Sequence, residues 1–374
     1  MEQKRLGDVA TYINGYAFKP EDRGSEGLPI IRIQDLTGNA YDVGFYNGNY
    51  PERIEIKNGD VLISWSASLG VYIWNRGRAL LNQHIFKVVF DKAEVNKQYF
   101  VYAVKYNLKE METKAHGATM KHIIKKDFDN TRIPFPSLEE QAKIANILSK
   151  VANIIETRKQ ELQKLDDLIK ARFVETFGHQ SHNEKSLPYM TIDDIAEIYL
   201  GITHTPTYVD SGVMFISAKN TSGDFLDLSD VKYISREEFE GAPKGSKPQV
   251  NDVLFSRVGS NLGHPVILKE ELELCTFVSL GFLRSKGTVT SNYLKHWMRD
   301  EFFAKQVAEH VKGGGQPNLN TGWLKEFKII VPDLEKQKEF DDFCDQVDKS
   351  KVEVQKALDE TQKLFDSLMQ QYFG

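Results

Sequence analysis

Cysteine is nearly absent from this sequence. Cys275 and Cys344 are the only two in 374 residues, too few for a disulfide framework or a four-ligand zinc site at short spacing. Core packing is the use expected of both. Long apolar runs are missing as well: none approaches the roughly 18 residues of a membrane span. The opening Met1-Glu-Gln-Lys-Arg5 leads into folded-looking sequence with no secretory apolar stretch. A soluble, cytoplasmic chain with no membrane partner is therefore expected.

Catalytic signatures are equally scarce. Neither G-x-x-x-x-G-K-[ST] nor G-x-G-x-x-G occurs, and Gly313-Gly-Gly315 is not followed by the lysine and hydroxyl residue of a phosphate loop. The Asn/Asp-Pro-Pro-Tyr/Phe signature of adenine methyltransferases is absent, as is a G-x-S-x-G elbow. Pro332-Asp333 with Glu335-Lys336 has the wrong spacing for a nuclease metal cluster. These residues open a helix, where acids serve the N-terminal dipole. His179 and His182 have no third ligand nearby and read as parts of a flexible polar connector. No catalytic residue, metal site or cofactor of its own is expected for this chain.

What the sequence does have is a forty-residue stretch, Leu138 to Phe177, free of proline and glycine. Its apolar residues Ile144, Leu148, Val151, Ile155, Leu162, Leu165 and Ile169 alternate at spacings that fall on one stripe of a helix. The stretch returns shifted by 196 positions, from Pro332 through Gly374, with Phe340, Cys344, Val347, Val354, Leu358, Phe365 and Leu368 along its seam. Each helix would run about 60 Å at 1.5 Å per residue, and each stripe needs covering. The best partner for each is its copy, since both are present in every chain at high effective concentration. Antiparallel packing is expected, with one globular head at each end; parallel packing would put both heads together.

The segments before the two helices also correspond. Leu6-Gly-Asp-Val-Ala10 parallels Ile192-Asp-Asp-Ile-Ala196, Asn58-Gly-Asp-Val-Leu-Ile-Ser64 parallels Val250-Asn-Asp-Val-Leu-Phe-Ser256, and Tyr99-Phe100 parallels Tyr293-Leu294. In the first segment, Leu6–Ile13 has helical spacing, ended by the turn signal Asn14-Gly15. Strands are expected at Leu28–Ile33, Asp60–Ser64, Val71–Trp74 and Ile85–Phe90, and a helix at Gln98–Leu108. The fold expected is α+β: a duplicated chain with a head at 1–136, a helix at 137–178, a linker and second head at 179–332, and a second helix at 333–374. A pseudo-twofold is its natural geometry.

Loops differ most between the copies, as where Trp65-Ser-Ala-Ser68 faces Arg257-Val-Gly-Ser260. A shared scaffold with different loops suggests two heads of different specificity. Arg and Lys suit guanine edges, Asn and Gln adenine edges, and small polar groups phosphate. By that chemistry the DNA-binding candidates in the first head are Lys19, Arg32, Gln34, Trp65, Gln83, His84, Thr119, Lys121 and His122. In the second they are Lys219, Asn220, Arg257, Ser260, Asn261, Gln316, Asn318 and Asn320. The net charge of −5 weighs against a nucleic-acid partner. Much of the acidity, however, sits on the last helix, where residues 333–374 carry 11 acidic against 6 basic side chains. A competing reading is a coiled-coil adaptor whose heads bind proteins or glycans.

The sequence resembles the specificity subunits of type I restriction-modification enzymes. The resemblance rests on Leu6-Gly-Asp-Val-Ala10, on the pair Gly59-Asp-Val-Leu-Ile-Ser64 and Asn251-Asp-Val-Leu-Phe-Ser256, and on Ile133-Pro-Phe-Pro-Ser-Leu-Glu-Glu-Gln-Ala-Lys-Ile144 with its echo Ile329–Gln337. It spans essentially the whole chain in the order head, helix, head, helix. It implies two target-recognition domains separated by a pair of long antiparallel coiled-coil helices, each domain reading one half of a bipartite double-stranded DNA site. It further implies docking of two adenine-N6 methyltransferase subunits and of restriction subunits that are ATP-dependent translocases and endonucleases. S-adenosylmethionine and ATP/Mg then belong to those partners.

Overall fold

The computed structural model describes residues 2–38, 42–114, 125–259, 261–310 and 318–374. The chain divides into two compact units, Met1–Lys159 with Lys356–Gly374, and Gln160–Gln355. The division passes through both long helices, Leu138–Phe177 and Leu334–Phe373, so each unit holds one head and parts of both helices.

In the first unit, Thr11–Asn14, Ile85–Val89, Val61–Ser64 and Gly70–Ile73 form an antiparallel sheet in that order. A second sheet takes the order Phe45–Tyr46, Leu28–Ile31, Ala79–Leu81, Glu55–Ile56, with its middle pair parallel. The second unit repeats the plan. Ala196–Leu200, Leu280–Ser285, Val253–Ser256 and Pro265–Ile267 make the antiparallel sheet, and Val213–Ile216 pairs parallel with Leu274–Thr276 in the other. Each head is closed by a short ladder between its first and last strands, Gln3–Arg5 with Arg132–Pro134 and Tyr189–Thr191 with Lys328–Ile330.

The structure departs from these expectations in several places. Leu6–Ile13 is not one helix. A single turn, Leu6–Val9, buries Leu6 and Val9, after which the β-branched Thr11 and Ile13 enter the sheet opposite Val89 and Lys87. Ile33 does not extend the strand Leu28–Ile31 but opens the helix Ile33–Thr37. Ala79–Leu81, too short to register as a strand by alternation, is a fully buried central strand. The helix expected at Gln98–Leu108 runs from Lys97 to Lys114.

The connector after the first long helix is also less free than its composition suggests. Gly178 turns the chain at φ 79°, and Gln180 is fully buried. The Gln180 carbonyl accepts from the Tyr189 hydroxyl at 3.0 Å, and its Oε1 accepts from Tyr293 Oη and the Ile330 amide, each at 3.4 Å.

The long helices pack together within each unit, and in each the numbering runs in opposite directions, so the pairing is antiparallel. In the first, the Arg158 guanidinium donates to the Ala357 carbonyl and the Thr361 hydroxyl. Tyr102 bridges the same pair, bonding Ser149 at 3.2 Å and meeting the Phe365 ring at 6.1 Å. In the second unit, Phe173 and Phe177 pack on Phe340 at 5.6 and 5.4 Å. Lys351 reaches Asp166 at 2.5 Å. Along the first seam Ile144, Leu148, Val151, Ile155 and Ile169 are buried, and Leu162 and Leu165 half-buried. Along the second, Phe340, Cys344, Val347, Leu358 and Phe365 are buried, and Val354 and Leu368 half-buried. Cys275 and Cys344 are both free thiols inside the protein.

Candidate nucleic-acid interface

The antiparallel sheets of the two heads end in the same backbone frame. In the first head the Tyr16 amide donates to the Leu81 carbonyl at 2.8 Å, Gln83 N to Tyr16 O at 2.9 Å, and Trp65 N to His84 O at 3.2 Å. The second head repeats all three: Ile202 N to Thr276 O at 2.8 Å, Val278 N to Ile202 O at 2.9 Å, and Arg257 N to Ser279 O at 2.8 Å. A glycine makes the crossing possible in both. A Cβ on Gly15 would stand 2.0 Å from the Asn82 carbonyl oxygen, and one on Gly201 2.3 Å from that of Phe277.

This frame matches side chains of different identity. Trp65 corresponds to Arg257, and His84 to Ser279. The turns that follow the parallel-paired strands match as well. Arg32 N donates to the Asp35 carboxylate at 2.8 Å, and Ser217 N to the Asn220 side-chain oxygen at 3.0 Å, so Gln34 and Lys219 share one exposed position. Trp65, Gln83, His84 and the Arg32–Gln34 turn thus come to one end of the first head's sheets, and Arg257 and the Lys219 turn to one end of the second's.

In the first head, Trp65 stacks on Phe86 at 5.6 Å, meets the His84 ring edge-on at 4.9 Å, and donates Nε1 to Asn14 at 3.3 Å. His84 adopts a left-handed φ of 71°, next to exposed Gln83. Arg32 is half-buried, held by Asp35, Asp42 and the Asp42 carbonyl. Lys19 stands exposed beside Glu21, 3.9 Å away. Thr119, Lys121 and His122 lie outside the described residues.

In the second head, the Ala218 amide bonds Ser279 Oγ at 3.1 Å, which ties the Lys219 turn to the sheet end. Arg257 is half-buried: Nε donates to Leu319 O at 3.2 Å and Nη1 to Val278 O at 3.1 Å, and burial pulls its pKa down. It thereby anchors the 318–320 segment, where Asn318 bridges Val258 and Asn320 caps the helix Thr321–Glu326. Asn261 is exposed on the adjoining loop. Asn220 is turned inward: its Oδ1 accepts from Ser217 N within the turn, its Nδ2 donates to Asp227 O at 2.9 Å, and it is 3% exposed. Its role is to shape the turn that presents Lys219, which is exposed and paired with Asp230 at 2.8 Å. Ser260 and Gln316 lie outside the described residues.

Asn14, Tyr16 and Ser279 belong to these ends and escape a reading of the sequence alone. Tyr16 is 45% exposed and stacks edge-on with Phe18 at 5.0 Å. The available signal was the matched glycine, Gly15 against Gly201, which reads in isolation as an ordinary turn. No group of three or more His, Cys, Asp and Glu among the described residues is placed to hold a metal ion. No described helix is long and apolar enough to cross a membrane.

These features define a duplicated recognition protein: two α+β heads on one backbone plan, displaying different side chains from matched loop ends. The chain belongs to the family described as type I restriction modification DNA specificity domain, whose pattern matches residues 1–167 and again 188–362. DNA sequence recognition is its function. The EcoBI type I restriction enzyme specificity subunit of Escherichia coli is 23% identical, over 98% of this chain and 84% of the relative. The MjaVIII specificity subunit of Methanocaldococcus jannaschii is 22% identical, over 95% and 89%. In fold the chain is similar to the type I restriction-modification S subunit from M. genitalium, with a TM-score of 0.59 at 15% identity, covering 100% of this chain and 96% of that one. A chain from a structural study of complex assembly and conformational transition in the type I R-M system gives 0.55 at 18% identity, covering 99% and 97%. The adaptor reading, with protein- or glycan-binding heads, finds no support among these relatives.

Proposed function

We propose that each head reads one half of a bipartite, asymmetric site in double-stranded DNA, and that the paired long helices set the unread spacer between the half-sites. The chain itself performs no chemistry in this reading. Two adenine-N6 methyltransferase subunits dock on it and bring S-adenosylmethionine, and ATP-dependent restriction subunits with ATP/Mg complete the enzyme in the cytoplasm. Relatives named as subunits of type I restriction enzymes support this class of partner.

The observation that carries the reading is the matched frame with changed side chains, Trp65 against Arg257, Gln34 against Lys219 and His84 against Ser279. Two half-sites of different sequence call for one docking geometry and two sets of base-reading groups. Heads spaced by about one helical turn of DNA, roughly 34 Å, or by multiples of it, reach successive major grooves on one face.

Single-molecule sequencing of host DNA tests this. With an active cognate methyltransferase, a split adenine-methylated motif is expected that vanishes when this gene is deleted. Inserting one or two helical turns between Leu162 and Ile169, and in the paired stretch of the second helix, should change the spacer and keep both half-sites. An unchanged spacer would sink the ruler, and no split motif would sink the bipartite reading.

A further inference from the structure

The turn that presents Lys219 runs on into a loop, Ser222–Leu228, that is closed at its neck. Asn220 Nδ2 donates to Asp227 O at 2.9 Å, and Asp227 N donates back to Asn220 O at 2.8 Å. Leu226 and Leu228 pack on the buried cluster of Ile216, Leu254 and Leu268, and His264 Nε2 bonds Gly223 O at 2.8 Å. Tied at its neck, its side chains and its backbone, the loop moves as one piece with the Lys219 turn.

At the far side of this loop, Asp224 meets three other elements of the unit Gln160–Gln355. Its carboxylate accepts from Nη2 of Arg299, which caps the helix Ser291–Met298, at 2.8 Å. It also accepts from the Lys351 ammonium of the second long helix, which bonds Asp166 of the first at 2.5 Å. The Phe225 ring centre lies 5.8 Å from Nζ of both Lys295 and Lys351. Lys351 is 6% exposed. Burial opposes both charges, yet Arg299 and Lys351 hold the Asp224 carboxyl below the usual carboxylate range, and Asp166 and Asp224 hold the Lys351 ammonium above the usual lysine value.

One carboxylate therefore joins the turn that presents Lys219 to both long helices of its unit. A buried ion pair adds little net stability over an apolar replacement, but it enforces one geometry, because a partner that moves away strands the other's charge. The charges are not part of the repeat. The 196-residue shift puts Ile155 and Gln362 at the places of Lys351 and Asp166, an apolar and an amide side chain on the helices of the other unit. We propose that Asp224 and Lys351 are positioning residues for DNA reading by the second head. Through the Ser222–Leu228 loop they fix where the Lys219 turn stands on the long helices, and so the fit of that turn to its half-site; this rests on the half-site reading above. Base-edge hydrogen bonds tolerate little displacement, whereas phosphate contacts hold the duplex without reading it. A turn released from its anchor thus loses discrimination before it loses DNA.

The test uses the full chain with its cognate methyltransferase, and single-molecule sequencing of the host DNA reads every methylated site. Asp224→Asn removes the charge and keeps the shape. Methylation at sites with one wrong base in one half-site should rise at least tenfold relative to the full site, while sites wrong in the other half-site stay at background. Lys219→Ala, at the turn itself, should relax that same half-site. Lys351→Ile, which installs the residue found at the matching place of the other unit, should reproduce Asp224→Asn, and Lys351→Arg, which keeps the charge, should retain discrimination. If Asp224→Asn does not fold by circular dichroism, Lys351→Ile carries the test. Lower thermal stability with both half-sites read as before would make the cluster a structural pair alone and overturn the proposal. Relaxation of both half-sites together, or of the half that Lys219→Ala leaves intact, overturns it as well. Absence of any split motif with the unaltered chain is a different result, which removes the half-site reading and this proposal with it.

Discussion

At Asp341, burial and charge oppose each other. Desolvation pushes its carboxyl up to about 6; Asp345 and Asp342 add to the rise, while hydrogen bonds from Thr290 and Asn292 work against it. A folded-state value above the unfolded one, about 3.9, means that the folded chain holds this proton more tightly. The contribution is therefore full below about pH 4 and is lost as pH rises through about 6. Asp341→Asn keeps an acceptor for the Thr290 hydroxyl, 2.8 Å away, and removes the charge. Thermal unfolding should move upward at pH 8, by on the order of 1 kcal/mol once partial exposure is allowed for, and stay in place at pH 4. An equal shift at both pH values would show that the buried charge is not the cause. At this scale the sequence is a weak guide. Asn220 and Lys219 are adjacent polar residues of similar apparent promise, yet one is spent on its own turn and the other faces solvent. Local backbone direction makes that choice, and composition does not encode it.

At the scale of elements, each long helix is pinned to its head by a glutamine in the same place. Gln141 and Gln337 are both fully buried and 196 positions apart. Gln141 donates Nε2 to Pro136 O at 2.9 Å and accepts from Asn96 N at 3.0 Å. Gln337 donates to Pro332 O at 2.8 Å and accepts from Thr290 N at 2.9 Å. Each joins the first turn of a long helix to the cap of its head's own helix. Replacing either with Ala strands buried backbone groups and should cost about 2 kcal/mol, read as a lower denaturant midpoint. A midpoint that does not move would mean that water takes over these bonds at no cost. The long helices themselves are legible in the sequence: the first spans Leu138–Phe177 as expected, and the second begins at Leu334, just after Pro332-Asp333. Forty residues of unbroken periodicity leave few alternatives. Leu6–Ile13 was misread because eight residues can satisfy helical spacing and still be half strand, and pairing with Ile85–Val89 decides the matter.

For the whole chain, the covering of each helix seam comes from the other copy of the repeat. Within the first unit, Phe365 and Phe373 from the last helix pack on Tyr102 and Tyr99 of the head. A chain ending at Gly178 loses these rings and leaves its own seam bare. Because Phe177 is the 196-shifted counterpart of Phe373, a second copy of the truncated chain can supply the missing helix. The half-length protein is expected to be a homodimer by light scattering, and a stable monomer would contradict this. The sequence by itself determined the duplication, the extent and apolar faces of the long helices and the α+β character of the heads, because periodicity and repetition are written locally along the chain. Only the tertiary structure decided which loop residues share a surface. The crossings at Gly15 and Gly201, and the match of His84 with Ser279, arise from hydrogen bonds between segments distant in sequence, whose partners no local pattern names.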